Sequence, residues 1–207
     1  LADQLRQRFN ETNTYVINVL SSPGSGKTTT ILGTNERLRD KAGLRCAVIE
    51  GDIAGQIDAD KIDALGIPVV QLDTDGACHI EAESINHILP QFDLDTLDIL
   101  FVENIGNLVC PAEFNIGESF RIAVLSIPEG DDKVPKYPLM FSTCDALVMN
   151  KYDMMPYFEF DDKRVESDEK GVNPKASVFR VSSKDDKSLD DLLSWMTGMI
   201  DEVTNEK

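Results

Sequence analysis

Seven short apolar runs punctuate the chain: Tyr15–Leu20, Cys46–Glu50, Pro68–Leu72, Ile99–Val102, Ile122–Ile127, Ala146–Met149 and Val178–Val181. None alternates cleanly between apolar and polar positions, as a strand covered on one face would. They read instead as strands buried on both faces. Between them lie stretches of helical character. Leu1, Leu5 and Phe9 space an amphipathic helix at the N-terminus. A segment from Thr28 to about Lys41 carries Ile31, Leu32 and Leu38 and ends before Gly43, a C-cap residue. Further helices are expected at Ala59–Leu65, stopped by Gly66, at His79–Leu89, in the polar Phe160–Pro174 region, and at Leu189–Val203. Strands alternating with helices predict an α/β fold: a mostly parallel seven-stranded sheet with helices on both faces. The expected organisation is a single domain over residues 1–207, with residues 1–14 forming a helix packed on the body.

The loop after the first strand gives this fold its type. Ser21-Ser22-Pro23-Gly24-Ser25-Gly26-Lys27-Thr28 fits G-x-x-x-x-G-K-[ST], with Ser21 at the first glycine position, and it stands between a strand and a helix. Gly24 and Gly26 let the backbone curl so that successive N–H groups, with Ser25 among them, face an anion. The helix adds its positive end at the same place. Lys27 is then in reach of the β- and γ-phosphates. The Thr28 hydroxyl is placed for Mg²⁺, and Thr29 follows it in the first helical turn. The chain therefore reads as a P-loop NTPase.

Asn150-Lys151-Tyr152-Asp153, after the sixth strand, fits the N-K-x-D motif of GTP-binding proteins. Guanine presents N1–H and a 2-amino group side by side, and the Asp153 carboxylate can accept both; adenine lacks that donor pair. Lys151 can lie over the base, and Asn150 can tie this loop to the phosphate loop. Ser182-Ser183-Lys184, after the last strand, resembles the loop whose backbone N–H contacts guanine O6, although a polar turn would look the same. Mg²⁺ prefers oxygen donors. Two acids at strand ends, Asp52 and Glu103, qualify beside Thr28, and each also fits an ordinary N-cap or loop residue. Glu103-x-x-Gly106 looks like a D-x-x-G switch with Glu in place of Asp, and the Gly106 N–H is a donor for the γ-phosphate. Lys27, Asp52 and Glu103 are thus the catalytic candidates, with Asp52 the candidate for orienting water. No Gln or Arg stands where a water-orienting residue or arginine finger is expected, which predicts slow intrinsic hydrolysis of GTP to GDP and phosphate.

Composition narrows the partners. Against 20 Lys and Arg stand 37 Asp and Glu, a formal net charge of −17, which argues against nucleic-acid binding. No run of 18 apolar residues and no signal-peptide pattern is seen, and the four cysteines include no C-x-x-C pair. A reducing cytoplasmic location without membrane attachment is the expectation. Cys78 and His79 follow the third strand, and Cys110 lies just past Glu103. Both thiols then fall on loops at the carboxyl edge of the sheet. Two thiolates and an imidazole suit Zn²⁺ or Ni²⁺, with Glu83 one helical turn from His79 as an orienting group. The same spacing also fits ordinary free thiols. Cys46 and Cys144 read as core residues, and His87 as a surface or packing residue.

Several stretches together resemble the HypB family of hydrogenase maturation GTPases, P-loop proteins of the SIMIBI class. They are S-S-P-G-S-G-K-T at Ser21–Thr28, V-I-E-G-D at Val48–Asp52, G-A-C-H at Gly76–His79, and V-E-N-I-G-N-L-V-C-P at Val102–Pro111. Glu129–Lys133, Lys136-Tyr137-Pro138 and Asn150–Asp153 also match. The resemblance spans nearly the whole chain. It implies a metallochaperone that binds and hydrolyses GTP and helps insert nickel into the large subunit of [NiFe]-hydrogenase alongside other maturation proteins. It further implies a GTP-dependent homodimer holding Ni²⁺ or Zn²⁺ at its interface through Cys78, His79 and Cys110. Many members carry an N-terminal Cys motif or His-rich stretch, and neither occurs in these 207 residues. The urease-maturation GTPases are the nearest alternative, but they use C-P-H where Cys and His are adjacent here. A regulatory GTPase with purely structural cysteines, or a metal-binding scaffold that does not hydrolyse nucleotide, are the others.

Overall fold

The computed structural model describes residues 1–51, 62–74 and 76–205. Seven strands, β1 (Tyr15–Ser21), β2 (Cys46–Glu50), β3 (Val69–Gln71), β4 (Ile99–Glu103), β5 (Phe120–Ser126), β6 (Ala146–Asn150) and β7 (Ser177–Arg180), form one sheet in the order β3-β2-β4-β1-β5-β6-β7. All six pairings are parallel. The longer helices are α1 (Ala2–Thr12), α2 (Lys27–Ala42), α3 (Ala82–Ile88), α4 (Asp162–Val172) and α5 (Asp186–Asn205).

The lack of alternation along the strands has a direct cause. Ile17, Val19, Val48, Phe101, Val124 and Val148 point to one face, where Ile31 and Leu38 of α2 and Leu192 and Met196 of α5 cover them. Their neighbours on β1, β2 and β4, namely Val16, Ala47, Ile49, Leu100 and Val102, meet Leu5 and Phe9 of α1 and Ile85 of α3 on the other. Leu20, Ala123, Leu125, Leu147 and Met149 continue that second face against Phe141 and Val165. Most positions of a central strand are therefore apolar, Asn18 being a buried polar exception within β1. Phe101 sits in the middle of this packing with no exposed surface, and truncating such a side chain costs about 3–5 kcal/mol.

β1 lies between β4 and β5, with Val19 opposite Glu103 on one side and Ile122 on the other. After β1 the chain builds outward to β3, returns to β4, then crosses to β5 on the far side. The crevice at the carboxyl end of β1 is the switch point where ligands of open α/β sheets bind. Two sequence expectations shift. β5 starts two residues earlier and stops at Ser126, and α3 begins at Ala82 rather than His79. The expected Ala59–Leu65 helix falls partly outside the described residues; residues 62–64 are helical. Among the described residues, no helix is long and apolar enough to cross a membrane.

Candidate functional site

The phosphate loop leaves β1 as its sequence requires. Ser21 is the last, buried residue of the strand, and the non-glycine residues with positive φ among those described are Asn13 and Lys151. Ser21 therefore replaces glycine without strain. Gly26 is different. Its φ is +95°, and a Cβ there would lie 2.3 Å from Asn150 Nδ2. Backbone conformation and the close approach of the base-side loop both demand glycine. Lys27 opens α2 and is buried, while Thr29 is exposed in the same turn. Thr28 Oγ1 donates to Glu103 Oε1 at 2.7 Å, bringing the two candidate Mg²⁺ donors together. This hard oxygen pair fits Mg²⁺. Asp52 lies outside the described residues.

Opposite the phosphate loop, two loops, 150–153 and 182–184, form the candidate base pocket. Asn150 Nδ2 donates to Ser25 O at 2.9 Å, and Lys151 Nζ to Gly24 O at 2.7 Å. Lys151 adopts φ +55°, which turns the chain sharply after β6. Asp153 Oδ1 accepts from the Ser182 hydroxyl at 2.9 Å, and its Oδ2 pairs with Lys184 Nζ at 2.7 Å. The Lys184 ammonium, then the Ser182 hydroxyl, hold the Asp153 carboxyl below its usual range, so it is an anion at neutral pH. In the 182–184 loop the Ser182 N–H is taken by Ser188 Oγ and the Lys184 N–H by Ser182 Oγ. Ser183 supplies the remaining backbone donor.

On the β4 side, Gly106 packs on the phosphate loop. A Cβ there would meet Pro23 Cα and N at 2.8 Å. The Asn107 side chain then turns the backbone by accepting from the Val109 and Cys110 N–H groups at 2.8 and 3.3 Å. Cys110 starts a one-turn helix, Cys110–Glu113. Arg121 fixes its far end by donating to Ala112 O and Phe114 O while pairing with Glu118.

That turn faces Cys78 and His79. One ligand atom from each of Cys78, His79 and Cys110 lies within 4.8 Å of the others. Cys78 Sγ stands 3.5 Å from His79 Nδ1. The imidazole stacks on Phe114 with centroids 3.7 Å apart and planes at 20°. Hydrogen bonding to the Cys110 thiol, with some desolvation, raises the Cys78 thiol above its ordinary range. Two thiols and an imidazole are the soft and borderline donors that Zn²⁺ and Ni²⁺ select.

The late start of α3 explains why the orienting acid is not the expected one. Ile80 is fully buried and reaches the place a Gly51 Cβ would fill, while its N–H bonds to Asn104 Oδ1. Those two anchors keep residues 78–81 out of the helix, which begins at Ala82, so Glu83 is not one helical turn from His79. Glu83 is exposed, and Glu81 Oε1 lies 3.1 Å from His79 Nε2 instead. Sequence reasoning also gave no individual role to Glu129. It accepts from Ser22 Oγ in the phosphate loop and from the Ser126 N–H and hydroxyl at 2.7 and 2.6 Å. The Ser126-x-x-Glu129 capping-box spacing was the available signal. Cys46 and Cys144 are buried, and burial pushes the Cys46 thiol up to about 12 and the Cys144 thiol up as well. Neither is reactive at neutral pH.

Known proteins resemble this chain along most of its length. Residues 15–180 match the family model of the CobW/HypB/UreG nucleotide-binding domain. Hydrogenase maturation factor HypB of Escherichia coli K12 is 43% identical over 196 residues, which cover 95% of this chain and 67% of that protein. The hydrogenase/urease maturation factor HypB of Helicobacter pylori 26695 is 41% identical over 199 residues, covering 94% of this chain and 81% of that protein. The crystal structure of Helicobacter pylori HypB in complex with nickel superposes with a TM-score of 0.89 at 39% identity, covering 97% of this chain and 94% of that one. With phosphate loop, base-side loops and thiol–imidazole cluster on one sheet edge, the chain belongs to the HypB family of nickel-associated P-loop GTPases within the CobW/HypB/UreG group.

Proposed function

We propose that this protein is a GTP-hydrolysing metallochaperone for [NiFe]-hydrogenase maturation, in which nucleotide state controls a Ni²⁺ or Zn²⁺ site made by Cys78, His79 and Cys110. One observation carries the reading. Residues 103–110 run from the carboxylate bonded to Thr28 to a thiol of the cluster, so the nucleotide and metal ends of the site share a single loop. The backbone of Gly24–Lys27 cradles the phosphates, Lys27 neutralises them, and Asp153 selects guanine. Thr28 and Glu103, with Asp52, would hold Mg²⁺, which when bound offsets charge on the transferring phosphate. Gly106 abuts Pro23, so γ-phosphate binding shifts the residues that lead to Cys110. Loss of that phosphate relaxes them and loosens the metal. The cluster supplies three donors, and a second copy across a GTP-dependent homodimer interface supplies the rest. The proposed setting is the cytoplasm, with the hydrogenase large subunit and other maturation proteins as partners. Urease is the second destination, because the Helicobacter relative is named for both enzymes.

The deciding experiment measures Ni²⁺ and Zn²⁺ per subunit, with mass by light scattering, on protein loaded with a non-hydrolysable GTP analogue and with GDP. A near-stoichiometric site that tightens together with dimer formation is expected. Equal metal affinity in the two states overturns the coupling, since linkage is reciprocal. No metal in either state leaves a GTPase whose cysteines are structural.

A further inference from the structure

His79 presents two nitrogens, and the surrounding side chains distinguish them. Nδ1 lies 3.5 Å from Cys78 Sγ, whereas Nε2 lies 3.1 Å from Glu81 Oε1. A tetrahedral ion bonded to sulfur at about 2.3 Å and to nitrogen at about 2.0–2.1 Å separates those donors by about 3.6 Å. The Cys78–His79 Nδ1 spacing already has that value with no movement of either side chain. A carboxylate at hydrogen-bond distance from Nε2 can only accept, so the imidazole proton sits on Nε2 and the Nδ1 lone pair is left free toward the thiols. Phe114 fixes the remaining freedom. Its ring lies nearly parallel to the imidazole, which prevents rotation about the Cβ–Cγ bond from exchanging the two nitrogens. Phe114 is itself held by the Arg121 guanidinium on its carbonyl at 2.7 Å, so the clamp comes from the same segment that starts at Cys110.

We infer that Glu81 is a positioning residue that accepts the Nε2–H of His79 and commits Nδ1 to the metal, with Phe114 clamping the ring plane. This rests on the metal-binding reading above and deepens it. Glu81 touches no reacting atom. It orients the His79 ring and sets which nitrogen coordinates.

The test uses the full chain, uniformly ¹⁵N-labelled and carrying His87→Gln, so that His79 is the one imidazole. Zn²⁺ is the probe because it is diamagnetic. A long-range ¹H–¹⁵N correlation spectrum separates metal-bound from protonated ring nitrogens. Zinc on Nδ1 with a protonated Nε2 is expected. Glu81→Ala should weaken Zn²⁺ binding about 10–100-fold, and Glu81→Gln should recover most of that loss, because its amide oxygen still accepts. Glu81 is exposed, so neither variant endangers the fold. Zinc on Nε2, or a Glu81→Ala protein that binds as tightly as the parent, overturns this assignment and leaves the metal site standing. A parent protein that binds no zinc overturns both.

Discussion

Asn104 Oδ1 accepts the backbone N–H of Ile80 at 3.3 Å, so one buried amide joins the end of β4 to the loop that carries Cys78 and His79. The same oxygen accepts from the Ile105 N–H at 2.9 Å, and Asn104 Nδ2 donates to Asn18 Oδ1 at 3.1 Å inside β1. Glu103, next to it, is bonded to Thr28. A shift of β4's end is thus felt on both cysteine-bearing loops. Asn104→Ala should destabilise the fold by about 1–3 kcal/mol, since it strands buried donors. It should also bring the ratio of metal affinities in the GTP-analogue and GDP states toward one. Urea titration and metal competition on the same protein measure the two effects.

Gly26 tests the phosphate loop from the other side. Gly26→Ala places a methyl group on the Asn150 amide and forces an unfavourable positive φ. Nucleotide affinity should fall at least about tenfold. Asn150→Ala removes the bonds to Ser25 O and Gly26 O without the clash. It should cost about 1–2 kcal/mol of nucleotide binding, through a looser loop. Titration with a fluorescent GDP analogue gives both values, and a Gly26→Ala protein that binds normally would show that the two loops part when nucleotide enters.

Asp153 should decide the base. Two hydrogen bonds to a charged acceptor contribute about 1.5–3 kcal/mol each, so Asp153→Asn should lower GTP affinity roughly 10²–10⁴-fold. Xanthine carries a carbonyl in place of the 2-amino group, and the amide introduced by that substitution can donate to it. Xanthosine triphosphate should therefore recover binding in the variant and bind the parent poorly. Because the folded carboxyl is depressed, its charge persists above the ordinary carboxylate pKa and is lost only as pH falls below that. GTP affinity should show no Asp153 titration between about pH 5 and 8, as isothermal titration at several pH values would reveal.

The strands and the two nucleotide motifs were legible because their signals are local. Apolar runs bounded by turns locate β1, β4 and β6, and the Gly26-Lys27-Thr28 and Asn150–Asp153 motifs sit where those runs end. Cys78, His79 and Cys110 were legible as types but not as a cluster, since their meeting depends on β3 and β4 flanking β2. The start of α3 was not legible. Ile85, Ile88 and Leu89 fit helical spacing but do not mark where the helix begins; that is set by the Ile80–Asn104 bond between residues 24 apart. Choosing Glu83 over Glu81 followed from that one boundary. Glu129 was missed for a related reason: its partner Ser22 is 107 residues away, and only its local cap on Ser126 leaves a trace in the sequence.

Glu169 gives the chain a pH-dependent weakness far from the nucleotide. It lies on the inner face of α4 with no exposed surface, and neither carboxyl oxygen has a hydrogen-bond partner among the described residues. Desolvation alone raises its pKa from 4.5 to about 7. The folded chain then holds a proton that the unfolded chain has already lost between those two values. Stability must fall as pH rises through that window and level off above it. The loss amounts to roughly 1–3 kcal/mol. Glutamine mimics the protonated acid at every pH. Glu169→Gln should match the parent near pH 4.5 and exceed it by that margin at pH 8. Urea unfolding at the two pH values measures the difference. An equal gap at both would mean that Glu169 is ionised throughout and that a partner inside the fold balances its charge.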